Sequence, residues 1–238
     1  MNIALLGYGR MGKAIEEIAL QKGYKIVLRI AHENLTDLTN ENIQQADVAI
    51  EFSNPQSAVN NILFCLNENI PVVSGTTGWL QHLSEVEKKC KEVNGAFLYA
   101  SNFSIGVNLF FELNKKLAAL MKTHSSYNVS MEEAHHTHKK DAPSGTAITL
   151  AGQIIEASDK KKIWINTEEK NETELSIISK RIDEAPGTHS VKYFSEEDEI
   201  EIVHKAHNRK GFAEGAALAA EFIANKKGIF TMKDVLGF

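Results

Sequence analysis

Cysteine, proline and long apolar runs are all scarce in this chain. Its 238 residues include four prolines and two cysteines, Cys65 and Cys90. Two cysteines without metal-ligand spacing exclude a disulfide framework and favour a reducing compartment, so we expect a cytoplasmic protein. No apolar run approaches the roughly 20 residues of a membrane span, and the first ten residues lack the basic start of a signal peptide. We therefore expect no membrane association and no export.

An excess of positive charge is also missing. Lysine and arginine number 26 against 31 acidic residues, which gives a net charge of −5. Without a general basic footprint there is no reason to expect a nucleic-acid partner. Hydrophobic residues make up 43% and charged residues 24% of the chain. This balance is typical of a globular protein with a core of ordinary size, in one large domain or two small ones.

The first 30 residues follow the pattern of a nucleotide-binding βαβ unit. Apolar runs at residues 3–6 and 25–30 flank a stretch with helical spacing at 11–19. Between strand and helix lies GYGRMG. Gly7 is suited to the tight turn, Gly9 to close approach of a pyrophosphate, and Gly12 to close packing of helix and strand. The motif therefore predicts dinucleotide binding.

The end of the second strand leaves the identity of the coenzyme open. This position normally carries an acidic residue that accepts hydrogen bonds from the ribose hydroxyls. Here it reads Ile30-Ala31-His32-Glu33. Glu33 suits the acidic role, although it lies slightly late, whereas His32 suits a 2′-phosphate. Both NADH and NADPH remain candidates.

Alternating strands and helices continue to residue 104. Strands at 48–52, 70–74 and 97–100 alternate with helices that begin at Pro55 and Leu83. This order predicts a doubly wound parallel sheet of the Rossmann type, whose ligands bind beyond the carboxyl ends of the strands. Small and hydroxylated residues follow three of those ends, at 51–53, 75–77 and 101–103. Such residues suit close approach to a nicotinamide ring or ribose, so we expect these three loops to contact the coenzyme.

Beyond Gly106 the pattern predicts a smaller α+β domain with a mostly antiparallel sheet. A helix at 107–121 and a strand at 127–134 are followed by a charged loop at 159–174. Three closely spaced strands at 175–182, 189–194 and 199–205 suggest antiparallel pairing, with a Pro186-Gly187 turn between the first two. A helix at 212–224 comes next. We expect residues 1–104 with 213–238 to form the dinucleotide-binding domain, and 105–212 to form a substrate-binding and oligomerisation domain.

The block EEAHHTHKKDAPSGTA, residues 132–147, is the strongest candidate for a site. His135, His136 and His138 stand beside two lysines. Ser144 then caps a helix opened by Gly145 and Thr146, and such an N-terminus attracts anions. If the preceding strand stays extended, Glu133 and His135 continue its apolar face. The block predicts a loop that lines a cleft, binds a small acidic ligand and transfers a proton to it.

Three other interpretations are weaker. A zinc site formed by the three histidines is disfavoured because adjacent side chains diverge and no separate carboxylate ligand set is present. We expect no metal. A nicotinamide sensor without turnover would need neither His135 nor Lys139. Another Rossmann oxidoreductase, acting on a sugar or semialdehyde, would not need the PSGTA block.

Several motifs together resemble the 4-hydroxy-tetrahydrodipicolinate reductase (dihydrodipicolinate reductase) family over the whole length. They are GYGRMG, IEFSNP, GTTGW, SNFSIGVN, EEAHHTHKKDAPSGTA and MKDVL. The resemblance implies NADH- or NADPH-dependent reduction of a small cyclic dicarboxylate to tetrahydrodipicolinate in lysine and diaminopimelate biosynthesis. It also implies a Rossmann domain to which the last helix returns, and a homotetramer joined through open sheets of the substrate domain.

The resemblance also implies roles for individual residues. His135 is implied as the proton donor or acceptor, and Lys139 as the second catalytic residue. The substrate-binding positions are His136, Gly145 and Thr146. The cofactor positions are Gly7, Tyr8, Gly9, Arg10, Met11, Gly12, Gly75, Thr76, Thr77, Ala100, Ser101, Asn102 and Phe103, to which the ribose argument adds Glu33. One departure is that the commoner family loop carries one more residue than GYGRMG, which implies a tighter turn here.

Overall fold

A computed structural model describes residues 1–208 and 210–238. The chain forms two compact units, Met1–Ile105 with Lys210–Phe238, and Gly106–Arg209. These divisions fall after residues 105 and 209, whereas the expected boundaries lay after residues 104 and 212.

The first unit contains a six-stranded parallel sheet with the order β11-β5-β4-β3-β1-β2. Its strands are β1 Asn2–Leu6, β2 Lys25–Ile30, β3 Val48–Glu51, β4 Val72–Ser74, β5 Ala96–Tyr99 and β11 Gly228–Phe230. Its helices are α1 Arg10–Gln21, α2 Asn40–Ile43, α3 Pro55–Asn67, α4 Leu83–Glu92, α7 Lys210–Ile223 and α8 Met232–Leu236, with short 3-10 turns at His32–Asp37 and Leu80–His82. The predicted Rossmann-type sheet is confirmed, and the short strand β11 is an addition that the sequence did not predict.

Both faces of this sheet are buried, which explains its continuous apolar strands. In β1, Ile3 and Leu5 pack with α1 and α7 on one face. Ala4 and Leu6 pack with α3 and α4 on the other face. Alternate residues of one strand thus serve two cores, as helices on both sides of a parallel sheet require.

The second unit has a five-stranded sheet covered on one face by helices. Its strands are β6 Asn128–His135, β7 Ile163–Ile165, β8 Glu174–Arg181, β9 Thr188–Phe194 and β10 Glu199–Lys205, and its helices are α5 Ile105–Met121 and α6 Gly145–Ala157. Alternate residues of the sheet pack with the two helices in a third core that includes Val129, Met131 and Leu150. The stretch 159–174, predicted to be a loop throughout, contains strand β7.

The predicted pairing of residues 175–182 with 189–194 was wrong. The order is β10-β9-β6-β8-β7, so β6 lies between β8 and β9. β6 runs parallel to β8 and antiparallel to β9, and β8 is also parallel to β7. The sheet is therefore mixed and not mostly antiparallel. The physical reason is the helix α6 after β6, which carries the chain over the sheet and returns it in the same direction.

The connection between β8 and β9 crosses the end of β6. Its backbone binds the end of that strand, because Ile182 N donates to His135 O at 2.8 Å and His136 N donates to Ala185 O at 2.9 Å. A direct hairpin would have left this end of β6 uncovered. The crossing therefore brings residues 182–187 against His135.

Candidate active site

Strand β6 carries two ionisable side chains on its buried face. Val129, Met131, Glu133 and His135 alternate with more exposed neighbours along the strand. The strand thus stays extended through His135, as the alternation predicts when it is continued. His135 is 8% exposed and Glu133 is 1% exposed, so both lie at the buried end of a strand rather than in a loop.

The Glu133 carboxylate is held by three groups from two parts of the chain, the start of α6 and strand β8. Ser144 N donates to both carboxylate oxygens at 3.1 Å, and Ser179 Oγ donates to Oε1 at 2.8 Å. Arg181 Nη1 lies 3.6 Å from Oε1. Burial opposes the charged carboxylate, but the hydrogen bonds from the two serines outweigh it and hold the pKa of Glu133 below its usual range.

Ser144 joins the start of α6 to this carboxylate. Its Oγ accepts from Ala147 N at 3.2 Å, which confirms the predicted N-cap. The same Oγ lies 3.0 Å from Nε2 of His189. The N-terminus of α6 therefore gives one backbone N–H to the protein's own carboxylate and a second one to its cap.

The ring of His135 lies between the Glu133 carboxylate and two later residues, Gly187 in the β8–β9 connection and His189 on β9. Its Nδ1 is 3.4 Å from Glu133 Oε2, and its centroid is 5.0 Å from that of His189. A Cβ on Gly187 would lie 3.1 Å from His135 Nε2. Burial lowers the pKa of His135; Glu133 opposes this shift, while Lys139 and Arg181 add to it.

His189 stays neutral at physiological pH. Burial, with the nearby His135, lowers the pKa of His189 to about 4. Its Nε2 lies 3.7 Å from Glu133 Oε2. Because β9 pairs with β6 in the register that sets Glu133 opposite His189, the two side chains share one face of the sheet.

Donor atoms of Glu133, His135 and His189 lie within 4.8 Å of one another, a grouping that suits a divalent metal by type alone. Both oxygens of the carboxylate already accept hydrogen bonds from Ser144, however, and the Arg181 guanidinium stands beside it. A cation there would meet a positive neighbour. The arrangement therefore fits a hydrogen-bonded charge cluster better than a metal site. Among the described residues, no such cluster combines His135 with His136 and His138.

The loop after β6 contains an ion pair between Lys139 and Asp141. Lys139 Nζ donates to both oxygens of Asp141, at 2.9 and 2.8 Å. Arg181 Nη2 donates to the carbonyl oxygen of Asp141 at 2.6 Å. The half-buried ring of His136 lies 6.2 Å from that of His138. These contacts hold a positively charged loop beside His135.

The two predicted substrate-binding positions at the start of α6 lie at the surface of their unit. Gly145 is exposed and Thr146 is half-buried. A Cβ on Gly145 would meet open space. The position is therefore accessible to a ligand from solvent.

The GYGRMG loop of the first unit has the geometry predicted for its outer glycines. Gly7 adopts φ +102°, and a Cβ there would lie 2.1 Å from the carbonyl oxygen of Phe52. A Cβ on Gly12 would lie 2.5 Å from Gly7 O. Gly9 has open space instead, and α1 begins without a side-chain cap. The loop therefore fits a nucleotide pyrophosphate at the helix N-terminus.

Of the other predicted positions in the loop, Tyr8 is tied to the second strand, whereas Arg10 is exposed and Met11 packs against the core. The Tyr8 hydroxyl donates to Glu16, and Arg29 Nε donates to the same carboxylate at 3.1 Å. Glu16 thus engages the guanidinium nearest the end of β2.

The end of β2 presents His32 and Glu33 to solvent. Both are exposed and lie in the 3-10 turn after the strand. Asn34 holds this turn, because its Oδ1 accepts from Ala31 N at 2.7 Å and its Nδ2 donates to Arg29 O at 2.9 Å. A carboxylate and an imidazole therefore stand side by side at the position where a dinucleotide-binding βαβ unit normally carries its ribose-binding acidic residue.

A buried carboxylate that the sequence did not single out organises the ends of β3 and β4. Glu51 is fully buried and accepts from Ser74 Oγ at 2.7 Å and from Thr76 Oγ1 at 2.9 Å. Ser53 donates to it from its backbone N at 3.0 Å. Thr76 in turn accepts from Trp79 Nε1 through its carbonyl at 2.7 Å. Glu51 therefore fixes two of the three loops predicted to contact the coenzyme.

The neighbouring predicted positions pack on a pair of aromatic rings. The Phe52 ring lies against Gly75, where a Cβ would come within 2.2 Å of it. Phe52 and Phe103 have ring centroids 5.4 Å apart. Phe103 is buried, whereas Thr77 and Ser101 are exposed and Ala100 and Asn102 are half-buried.

Comparison with known proteins decides the family. A family model described as dihydrodipicolinate reductase, N-terminus, matches residues 1–103. The model for the C-terminus of the same reductase matches residues 106–236.

The chain belongs to the dihydrodipicolinate reductase family.

Membership makes it an oxidoreductase that uses a pyridine nucleotide. A 4-hydroxy-tetrahydrodipicolinate reductase from Christiangramia forsetii is 53% identical over 238 residues, which cover 99% of this chain and 98% of the relative. A reductase of the same name from Aquifex aeolicus is 34% identical and covers 96% of both chains. The dicarboxylate-reductase family predicted from the motifs is thereby confirmed.

Solved structures share the fold. A dipicolinate-bound dihydrodipicolinate reductase from Paenisporosarcina sp. TG-14 has a TM-score of 0.80 at 22% identity and covers 97% of both chains. A scyllo-inositol dehydrogenase from Lactobacillus casei has a TM-score of 0.57 at 14% identity. Within the described residues, no helix is both long enough and apolar enough to span a membrane.

Sequence reasoning missed most of the partners of His135. It placed Glu133 on the buried face but gave it no role, and it did not single out Ser179, Arg181, Gly187 or His189. One signal was available. In HSVKYF, His189 alternates with Val191 and Tyr193, so it stands on a face that is otherwise apolar.

Proposed function

We propose that this chain reduces 4-hydroxy-tetrahydrodipicolinate (dihydrodipicolinate) to tetrahydrodipicolinate with NADH or NADPH, in lysine and diaminopimelate biosynthesis, and that His135 supplies the proton. The observation that carries the proposal is a buried histidine beside the Glu133 carboxylate within the EEAHHTHKKDAPSGTA block, in a chain of this family. A histidine titrates in the range that such proton transfer needs.

The substrate is a cyclic dicarboxylate, so it requires two anion sites. Gly145 and Thr146 at the start of α6 bind one carboxylate, where the helix dipole favours negative charge. Lys139 and His136 bind charge at the other end, and Lys139 leaves Asp141 when the substrate carboxylate replaces it. The exposed Gly145 and the cationic loop support this assignment.

The chemical step needs a proton donor that is protonated when the substrate is bound. Delivery of a hydride to one carbon of the conjugated C=N system leaves an enamine-like anion, which takes a proton from the imidazolium of His135. The negative charge of the bound substrate favours that imidazolium against the effect of burial. His135 then returns to the neutral form and takes up a proton from solvent.

The coenzyme, which supplies the hydride, binds at the first unit. The N-terminus of α1 beside Gly9 and the loop Gly7–Gly12 would hold its pyrophosphate. The other cofactor positions are Glu33, Gly75, Thr76, Thr77, Ala100, Ser101, Asn102 and Phe103. Because Glu33 and His32 stand together at the ribose position, the proposal includes use of both NADH and NADPH.

The proposal places the enzyme in the cytoplasm as a homotetramer joined through the substrate-binding units. The two free cysteines suit a reducing compartment. Apolar side chains are exposed on β10, where Ile200 and Val203 face solvent in the single chain. The mass in solution, measured by light scattering on a sizing column, tests the tetramer.

The experiment that tests the reaction is substrate-dependent oxidation of the coenzyme. Purified protein should oxidise NADH or NADPH only when the product of dihydrodipicolinate synthase is freshly generated, and not with simple aldehydes or sugars. Folded protein that binds coenzyme but shows no loss of absorbance with this substrate would instead support a nicotinamide sensor.

A further inference from the structure

We infer that Glu133 is a positioning residue that orients His135 and favours its protonated form, and that Ser144 and Ser179 hold the Glu133 carboxylate in place. The inference rests on the proposed function for its catalytic consequence, but its structural part has a test that needs no turnover.

The two oxygens of Glu133 have different surroundings. Oε1 accepts from Ser179 and lies near Arg181. Oε2 faces Nδ1 of His135 at 3.4 Å and Nε2 of His189 at 3.7 Å. Ser144 N donates to both oxygens. Oε1 has Ser179 as an additional scaffold donor, while Oε2 is also directed to the histidines.

The scaffold around Glu133 is made of paired strands. Strand register sets Ser179 opposite Glu133 on one side, and His189 opposite it on the other. Ser144 closes the third side from the start of α6. A carboxylate built on a central strand and held by neighbouring elements keeps its position far better than one on a loop.

The consequence for His135 is electrostatic. The charged or titratable groups that face it are Glu133 on its own strand, Lys139 and Asp141 in the following loop, Arg181 on β8 and His189 on β9. Burial, Lys139 and Arg181 disfavour the imidazolium, whereas Glu133 and, to a smaller extent, Asp141 favour it. Glu133 is therefore the main group that favours the imidazolium form of His135 against the effect of burial.

The test is Glu133→Gln, which keeps the shape of the side chain and removes its charge. The glutamine oxygen still accepts from Ser144 N and Ser179 Oγ, while its NH₂ group points at Nδ1 of His135. That donor opposes protonation of the ring. The matched control is Glu156→Gln, the same substitution on an exposed residue of α6.

The first readout is the titration of the histidine resonances by NMR, with the His135 signal identified by its loss in His135→Gln. We expect the pKa of His135 to fall by about one unit or more in Glu133→Gln, the range of a nearby opposite charge, and to stay constant in Glu156→Gln. An unchanged His135 titration in folded Glu133→Gln would overturn the inference, whatever the turnover of the wild type.

The second readout is the pH profile of kcat/KM. If His135 must be protonated, the alkaline limb of the profile lies at the pKa of His135. In Glu133→Gln this limb should move to lower pH by the same amount as the pKa measured by NMR. Activity should then recover partly at low pH, while KM for the coenzyme stays unchanged. A uniform loss at every pH would show a structural role only.

Glu133→Asp provides a second variant if the glutamine variant does not fold. It keeps the charge but withdraws it by one methylene, so both the NMR titration and the alkaline limb should shift toward acid by less than in Glu133→Gln. A folded aspartate variant with wild-type titration and wild-type kcat would contradict the inference.

Discussion

At the scale of single residues, the proposed roles of His135 and Lys139 can be separated by kinetics. His135→Gln should lower kcat by about 10²–10⁴-fold with a modest change in KM, because it removes a proton donor. Lys139→Ala should lower kcat and raise KM, because the lysine also binds a substrate carboxylate. Steady-state kinetics at saturating coenzyme measures both effects. Near-normal kcat in His135→Gln would move the proton donor elsewhere.

Gly187 matters because it leaves room beside the His135 ring. A Cβ there would lie 3.1 Å from Nε2 and 3.3 Å from Cδ2, and φ is +151°, which disfavours side chains. Gly187→Ala should therefore cost about 1–3 kcal/mol of stability and lower kcat/KM by at least tenfold, since the ring must shift. Thermal melts and steady-state rates measure the two effects.

Gly23 offers the control for backbone strain. It also has positive φ, +78°, but open space around its missing Cβ. Gly23→Ala should lower the free energy of unfolding by about 1 kcal/mol. The variant should keep its activity at 25 °C. Equal loss of activity in both variants would show that strain, and not crowding of His135, explains the effect.

At the scale of elements, two helical glycines should respond to alanine in opposite directions. A Cβ added at Gly215 in α7 would lie 1.8 Å from the carbonyl oxygen of Phe103. A Cβ added at Gly152 in α6 would meet open space. Gly152→Ala should stabilise the protein by about 0.5–1 kcal/mol through helix propensity. Gly215→Ala should destabilise it by about 1–3 kcal/mol, because backbone must move. Urea unfolding measures both, and a stabilised Gly215→Ala would refute the close approach.

The turn after β2 should allow both coenzymes. His32 and Glu33 are exposed there, and Arg29 is engaged by Glu16. We expect kcat/KM for NADH and NADPH to agree within about tenfold, or about 1.4 kcal/mol. If Glu33 accepts the ribose hydroxyls, Glu33→Ala should weaken NADH more than NADPH. If His32 or Arg10 holds a 2′-phosphate instead, its replacement should weaken NADPH alone, and more so at low salt. A native preference above about a hundredfold would show that another residue reads the ribose.

At the scale of the whole molecule, buried neutral histidines should make the protein lose stability in mild acid. The pKa of His189 is lowered to about 4 in the folded protein, against about 6.5 when unfolded. The unfolded state therefore binds more protons between these values, and stability falls as pH falls. The His189 contribution from pH 6.5 to pH 5 is about 2 kcal/mol, and burial of His135 and His204 acts in the same direction.

Urea unfolding at several pH values from 7.5 to 5 measures this slope. His189→Gln keeps a donor for Ser144 but cannot titrate, so its stability should depend less on pH in this window. The window stays above pH 4.5, below which Glu133, with its lowered pKa, begins to lose its own contribution. Equal slopes for both proteins would show that His189 titrates normally.

Local patterns in the chain were enough to locate most of the longer elements and the main motifs, although not the short strands β7 and β11. Apolar runs and helical spacing reflect burial within one element, so β1, α1 and the Gly7–Gly12 turn follow from a few adjacent residues. The Ser144 cap is local for the same reason. The alternation along β6 even placed Glu133 and His135 on the buried face, and the combined motifs identified the family.

Strand pairing, in contrast, depends on contacts between residues far apart in the chain, and no local pattern specifies it. Short spacing suggested a hairpin between β8 and β9, but the crossover through α6 places β6 between them. That order alone brings Ser179, Arg181 and His189 to Glu133, and Gly187 to His135. The proton-transfer role of His135 could therefore be predicted from the block that contains it. Its charged neighbours could not, because they come together only when β6, β8, β9 and the N-terminus of α6 pack against one another.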